Sequence, residues 1–231
     1  MRIAIGTMLW RRHEVFRVWA TCIQRLIRDF PEHHFDIVVI GSEGRTSKYL
    51  VKEYGFHYSE CINVTGKKAN YRLMAMRNYK PDKYIFCGSD DIISSEAFGY
   101  IISQPYDEVA SMTLHYFDTR SKRFILSQGY KNTPREGEPL APWRCLSASV
   151  VDALGNPWDE LPRNIDSGIY KKLSAIPHTR FYHKGQMIVD IKSPGNITPF
   201  FVVCRKEVIE LSNDEIYKHF PKEEADAIFR L

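Results

Sequence analysis

The stretch Lys83-Tyr84-Ile85-Phe86-Cys87-Gly88-Ser89-Asp90-Asp91 runs from an apolar segment straight into two adjacent carboxylates. A short apolar run bounded by polar residues reads as a buried strand. Two carboxylates at its end repel each other and give up solvation, so the pair asks for a cation or a positively charged partner. A divalent ion bridging them to a diphosphate supplies that charge through the oxygen ligands hard cations prefer. The plainer reading is that Asp90 or Asp91 caps the next helix, and the pair alone does not separate the two.

Upstream, Arg2–Thr7 is a short β-rich run, and Val15–Phe30 places Val15, Trp19, Cys22, Ile23, Leu26 and Ile27 near helical spacing. Phe35–Gly41 is a continuous apolar run of the kind found in buried parallel strands, and it gives way to the polar loop Ser42–Arg45 and a second helix. Cys61–Val64 reads as a third strand and Lys68–Asn78 as a helix before the Lys83–Gly88 strand. Strands alternating with helices predict a right-handed, mostly parallel α/β sheet. Ligands of such sheets bind outside the carboxyl ends of the strands, where Ser42, Glu43, Asp90 and Asp91 fall.

Downstream, Ser94–Gln104 reads as a helix, and Glu108–Phe117 with Lys122–Gln128 as a β-hairpin about Asp118–Ser121. Gly129–Pro142 is a long loop rich in proline and glycine, of a length that often carries binding work. Ser147–Leu154 and Ile165–Leu173 read as helices, Thr179–His183 and Gln186–Ile191 as strands, and the segment from Asn213 as helical, with Ser212 or Asn213 as its cap.

The bulk composition narrows the classes. With 231 residues, 44% of them hydrophobic, the chain can bury one sizeable core. Lys plus Arg is 32 against 28 for Asp plus Glu, a net charge of +4 that favours phosphates without demanding a nucleic acid. Cys22, Cys61, Cys87, Cys145 and Cys204 lack the spacing of a zinc site or a disulfide framework and read as free thiols of a cytoplasmic protein. Residues 2–9 read as a first strand and not as a signal peptide. No run approaches the roughly 20 apolar residues of a membrane span. Oligomeric state is not legible.

Two further constellations bear on chemistry. Gly66-Lys67-Lys68-Ala69-Asn70 opens the helix before the aspartate strand; a helix N-terminus with a lysine beside it suits a phosphate, and a surface lysine is the simpler alternative. Asn164-Ile165-Asp166 precedes an amphipathic helix. An aspartate there is usually a cap, yet a carboxylate held opposite a metal site can also serve as general base toward an acceptor hydroxyl.

The order of these residues, Gly-x-Lys-x-Asn then Gly-Ser-Asp-Asp, followed by Leu146–Gly155, Pro157-Trp158-Asp159 and Asn164-Ile165-Asp166, resembles inverting, family-two-like glycosyltransferases of the GT-A type, across residues 1–195. Compact enzymes of this kind occur among phage-type proteins. The resemblance implies a GT-A (Rossmann-like), mostly parallel sheet flanked by helices, with a small antiparallel hairpin and a C-terminal helical tail. Residues 1–205 would form the transferase domain, 1–104 its nucleotide-sugar half and 105–205 its acceptor half, with 206–231 a helical appendage. Asp90 and Asp91 would hold a divalent metal, Mn2+ or Mg2+, and the diphosphate, and Asp166 would be the general base. Lys68, Asn70 and Ser89 would lie near the donor, a UDP-sugar, and Thr7, Ser42 and Glu43 where base contacts occur. His183, with His178 as rival, would complete the metal shell. The chain departs from the family pattern at Gly88, where an aspartate is usual, and at Ile165, where an acidic residue is usual.

The implied reaction is a direct, inverting displacement onto an acceptor hydroxyl, either of a glycan or of a hydroxymethylated pyrimidine in DNA. Tyr130, Lys131, Arg135, Trp143 and Arg144 offer aromatic and basic groups for that acceptor, and for Trp143, as for Trp158, a place in the core is the safer reading. A nucleotidyltransferase is one rival, but Gly6-Thr7-Met8-Leu9-Trp10 is a poor cradle for a triphosphate. A non-enzymatic nucleic-acid-binding module is another, opposed by the clustered carboxylates, which repel a phosphate backbone.

Overall fold

The computed structural model describes residues 1–158, 165–194, 196, 200 and 208–231, with the backbone alone at 165–167. The elements run β1 (Arg2–Met8), α1 (His13–Asp29), β2 (His34–Gly41), α2 (Arg45–Glu53), β3 (His57–Glu60), α3 (Thr65–Arg77), β4 (Lys83–Phe86), β5 (Asp91–Ile93) and α4 (Ser95–Ser103). They continue with β6 (Glu108–Ser111), β7 (Leu114–Asp118), β8 (Phe124–Ser127), β9 (Leu140–Ser147), α5 (Ala148–Leu154), α6 (Ile165–Ser174), β10 (Arg180–His183), β11 (Ile188–Lys192), β12 (Val208–Leu211), α7 (Asp214–His219) and α8 (Lys222–Arg230).

A seven-stranded sheet has the order β10-β6-β9-β4-β1-β2-β3. All its neighbours are parallel except β9, which runs against both β4 and β6. Both faces are covered, which is why its inner strands read as unbroken apolar runs. On one face Ile3, Ile5, Ile37 and Val39 meet α1 in the larger core; on the other Ala4, Val38, Ile40 and Phe86 meet Leu73 and Met76 of α3. The α3 face is tight: a Cβ on Gly6 would come within 2.3 Å of Met76 Sδ.

A second sheet, β12-β8-β7-β11-β5, packs into the larger core. The expected hairpin is its middle, but only Leu114–Asp118 and Phe124–Ser127 pair this way; Glu108–Ser111 belongs to the main sheet. Two other expectations are corrected. The third strand is His57–Glu60 and not Cys61–Val64, and the long loop ends at Leu140, where β9 begins. Its Pro142 sits beside an irregularity in the pairing with β6, and Trp143 takes a positive φ of 57°, as bulges permit.

The C-terminal helices are not loosely attached, since Ile216, Phe220, Ala225 and Ile228 are buried in the larger core. Ser212, not Asn213, supplies the side-chain contact at the start of α7, accepting from Asp214 N at 3.2 Å. Buried Arg25 of α1 pairs with buried Glu224 of α8 at 2.9 Å and donates to the Ile93 carbonyl at 2.6 Å. Removing one partner of a buried pair strands the other charge. Arg25→Met should therefore cost about 3–5 kcal/mol, read from urea unfolding; a loss under about 1 kcal/mol, the worth of a surface pair, would contradict this packing.

His115 on β7 stacks on Phe124 and its Nδ1 meets the Ile188 carbonyl at 3.2 Å. Burial pushes its pKa down to about 4, with a smaller lowering from His219 and an opposing effect of Glu215. Between the ordinary value of 6.5 and about 4 the unfolded chain binds this proton and the folded chain does not. Stability from this site is thus full above 6.5 and declines as pH falls through that window. His115→Gln should flatten the dependence by up to one proton, about 1.4 kcal/mol per pH unit, in denaturation midpoints followed from pH 7 to 4. An unchanged slope would contradict the assignment. Among the described residues no helix is long and apolar enough to cross a membrane.

Candidate active site

The carboxyl ends of β1, β2 and β4 meet along one edge of the main sheet. Arg72 of α3 fastens two of them, donating to the carbonyls of Gly6 and Cys87 at 3.3 Å each while lying over Phe86 and Trp158. The loop after β1 delivers Arg12, whose Nη1 forms an ion pair with Asp90 Oδ2 and whose Nη2 donates to Ser89 Oγ at 3.3 Å. Asn196 donates to the same Asp90 oxygen at 2.6 Å.

Behind Asp90 lies a carboxylate that the strand reading of Gln186–Ile191 passes over. Antiparallel pairing of β11 with β5 sets Asp190 opposite Asp91. Asp190 is buried, accepts from buried Lys192 Nζ at 2.6 Å through Oδ2, and among the described residues leaves Oδ1 without a partner. Burial pushes its pKa up to about 6; Lys192 opposes the rise and Asp90 adds to it. Asp91 is raised further, by burial and then by the charges of Asp190 and Asp90, although Gly88 N donates to it at 2.5 Å. Burial alone would lower Lys192, yet the field of Asp190 and Asp90 leaves it raised. Three carboxylates thus crowd together beside two cations, Arg12 and Lys192, and the crowding falls on Asp91, whose charged form is disfavoured.

Gly88 has a steric reason to be glycine. A Cβ there would fall 2.5 Å from Asp90 Oδ1 and 2.6 Å from Asp91 Oδ2, so an aspartate at 88 would push both carboxylates out of their present positions.

Lys68, at the start of α3, is buried and donates to Ser42 Oγ and Asn63 Oδ1 at 3.1 Å each. Burial lowers its pKa, against the raising influence of Cys61 and Glu43. Its hydrogen-bond partners are neutral oxygens, and among the described residues it makes no ion pair. Glu43 accepts from Arg11 N at 2.7 Å, Ser47 Oγ at 3.1 Å and His13 Nε2 at 3.2 Å. Burial raises its pKa, but these hydrogen bonds and the His13 charge outweigh it, and the net value is lowered.

The structure therefore brings Ser42, Glu43 and Lys68 to one side of the edge and Ser89, Asp90 and Asp91 to the other. Thr7 lies just beneath, fully buried with its hydroxyl unpaired. Asn70 turns inward, and its Oδ1 accepts from Trp158 N at 3.0 Å. Asp166 is in the first turn of α6, its side chain outside the described residues, as are Asp159 and Asn164. His183 is not brought to the carboxylates. It is buried against Tyr100 with neither ring nitrogen bonded among the described residues, and burial lowers its pKa to about 4. His178 meets Glu108 at 3.0 Å instead. Among the described residues no three His, Cys, Asp or Glu side chains form a metal cage.

Arg144, offered as a group for an acceptor, is buried, and so is Trp143, as the core reading of it expects; Trp143 packs edge-on against Phe98 and donates to the Asp91 carbonyl at 3.2 Å. Sequence reasoning missed Arg12, Asp190, Lys192 and Asn196. The available signal was charge inside an apolar run, Asp190 and Lys192 two residues apart and so on one face of a strand.

No protein-family model matches this chain, and no curated protein matches its sequence. Solved structures do resemble it in fold. TarS of S. aureus, residues 1–349, aligns over 83% of this chain and 60% of its own with a TM-score of 0.61 at 14% identity; it has also been solved with UDP. The mannosyltransferase PcManGT of Pyrobaculum calidifontis, in complex with GDP-Man and Mn2+, aligns over 84% of this chain and 58% of its own, with a TM-score of 0.59 at 12% identity. The inositol-1-phosphate CTP transferase of T. maritima aligns over 99% and 96%, with a TM-score of 0.54 at 11% identity. The chain spans about three fifths of the first two.

Proposed function

We propose that the chain, whose mostly parallel sheet between helices is the fold of GT-A glycosyltransferases, is a nucleotide-sugar glycosyltransferase that transfers a hexose or pentose from a nucleoside diphosphate, UDP first among candidates, to a hydroxyl of a glycan or of a hydroxymethylated pyrimidine in DNA. One observation carries the reading: buried Lys68 with Ser42, and Ser89 with Asp90, converge on one strand edge. A nucleoside diphosphate needs both a cation for phosphate and a polar wall for base and ribose, and open α/β sheets present them there. The resemblance to structures holding UDP or GDP-Man with Mn2+ supports the choice of ligand class. The four described cysteines are free thiols, three of them buried, which suits a cytoplasmic setting.

A nucleotidyltransferase is favoured by the near-complete overlap with the CTP transferase. Against it, two amides of the turn after β1 are already taken, Leu9 N by the Ile40 carbonyl at 2.9 Å and Arg11 N by Glu43 at 2.7 Å.

The residues suit a divalent ion as an incomplete shell. Asp90 and Asp91 provide hard oxygens, the crowding of like charge around Asp91 is what a cation would relieve, and the donor's phosphates would furnish the remaining ligands. Such an ion would offset the charge that develops on the departing diphosphate. Arg12 and Lys192 hold the carboxylates in place and share that electrostatic role. Lys68 grips the phosphates, and Ser42 and Glu43 face the nucleoside. Asp166 takes the acceptor's hydroxyl proton as the new bond to the anomeric carbon forms and the bond to the diphosphate breaks, which inverts the centre.

Thermal stabilisation by nucleoside diphosphates, with and without manganese, tests the donor site, since a ligand bound only by the folded state raises Tm. UDP or GDP should stabilise the protein. Lys68→Met should weaken binding about tenfold to a hundredfold, the worth of a hydrogen bond to a charged group. Equal stabilisation of both proteins would remove Lys68 from the site.

A further inference from the structure

A second concavity opens on the same edge of the main sheet. Because β9 runs against both β4 and β6, the strands β4 and β6 point the same way, and β10 is parallel to β6. The residues that follow β6 and β10, Met112 and Lys184, thus emerge on the carboxyl edge that carries Asp90 farther along. There they line a cavity of about 300 Å³ together with Gln128, Tyr130, Lys131 and Glu136.

The outer wall is built and not merely draped. Gly129, at φ 77°, lies so close to the Met112 carbonyl that a Cβ would meet its oxygen at 2.3 Å, which presses the loop onto the end of β6. Arg135 pairs with Glu138 at 2.6 Å and lies 3.8 Å over the Tyr130 ring. Backbone bonds Thr133 N to Tyr130 O, Glu136 N to Thr133 O and Glu138 N to Arg135 O close successive turns. On the inner side Met112 N donates to the His183 carbonyl at 2.8 Å and Gly185 N to Thr113 Oγ1 at 3.0 Å.

The lining chemistry is specific. Lys131 and Lys184 bring two ammonium groups to the lining beside the carboxylate of Glu136, while Gln128, Tyr130 and Glu136 offer hydroxyl partners and an aromatic ring. Its volume is at the small end of ligand pockets, too small for a nucleic-acid duplex and adequate for one or two sugar rings.

We propose that this cavity is the acceptor site and that the acceptor is an anionic saccharide, a sugar unit carrying a phosphate or carboxylate that Lys131 and Lys184 receive. The assignment as acceptor site rests on the donor reading given above.

Amide NMR of the whole chain reads the two sites separately. Glucose 6-phosphate should move the amides of Gln128, Gly137 and Lys184, and unmodified glucose should bind about tenfold more weakly, one charge contact's worth. Lys184→Glu, at an exposed position, should weaken glucose 6-phosphate at least tenfold while UDP still moves Ser42 and Lys68. Glucuronate binding as well as the phosphate ester would identify the anion as either source. The proposal is overturned if glucose 6-phosphate leaves the cavity amides unmoved, if inorganic phosphate binds there as tightly, or if a single-stranded DNA oligonucleotide binds there more tightly. A response to glucose 6-phosphate without any response to UDP would sink the donor reading, and with it the acceptor role, leaving an anionic-sugar site.

Discussion

Asp90→Asn should lower the rate of sugar transfer by about 10²–10³-fold, the loss seen when a preorganised group at a developing charge is removed. Asp90 is the one carboxylate of the three that meets both Arg12 and Asn196, so it joins the loop after β1 to the segment after β11 at the point where the diphosphate would leave. The asparagine keeps the shape and removes the charge. Folding should survive, because Asp91 and Asp190 repel Asp90 and relief of that repulsion offsets the lost ion pair. Steady-state transfer rates beside unfolding midpoints distinguish the two effects. A variant that transfers within about threefold of the parent, far inside the range of such losses, would remove Asp90 from the chemistry.

Asp166→Asn should cost about 10²–10⁴-fold in kcat, the range for losing a general base, with nucleoside diphosphate affinity unchanged. A base acts on the acceptor's proton and leaves the donor's phosphates untouched, so KM for the donor should stay put while kcat falls. Asp166 begins α6, where an aspartate that only caps would instead cost about 1 kcal/mol of stability. A stability loss without a loss of kcat would make it a cap. Retained anomeric configuration in the product would exclude single displacement altogether.

The N-terminal half was legible because the burial of β1, β2 and β4 on both faces writes itself as continuous apolar sequence, and the polar residues that end those runs stand at the carboxyl edge of the sheet. The strand β3 was misplaced because it is an edge strand, His57-Tyr58-Ser59-Glu60, with no apolar period, whereas the apolar Cys61 and Ile62 beside it are loop. The strand β9 was hidden by Pro142, which a central strand tolerates only beside a bulge. That error left Arg144, a core residue, among the ligand candidates and Trp143, also core, open between the two readings. Asp190 could not be joined to Asp91 from sequence, because about a hundred residues of intervening chain separate two strands that only the sheet order makes neighbours. Arg12 likewise meets Asp90 only through the adjacency of β1 and β4.

The most direct measurement is the identity of the small product. The chain, incubated with manganese and with UDP-, GDP- and CDP-activated sugars or with nucleoside triphosphate and sugar phosphate, is followed for released nucleoside diphosphate and for pyrophosphate. A glycosyltransferase releases nucleoside diphosphate from one activated sugar, at a rate that rises with an anionic saccharide acceptor and collapses in Asp90→Asn. Release of pyrophosphate from a triphosphate, with every activated sugar left intact, would contradict the account and make the chain a nucleotidyltransferase.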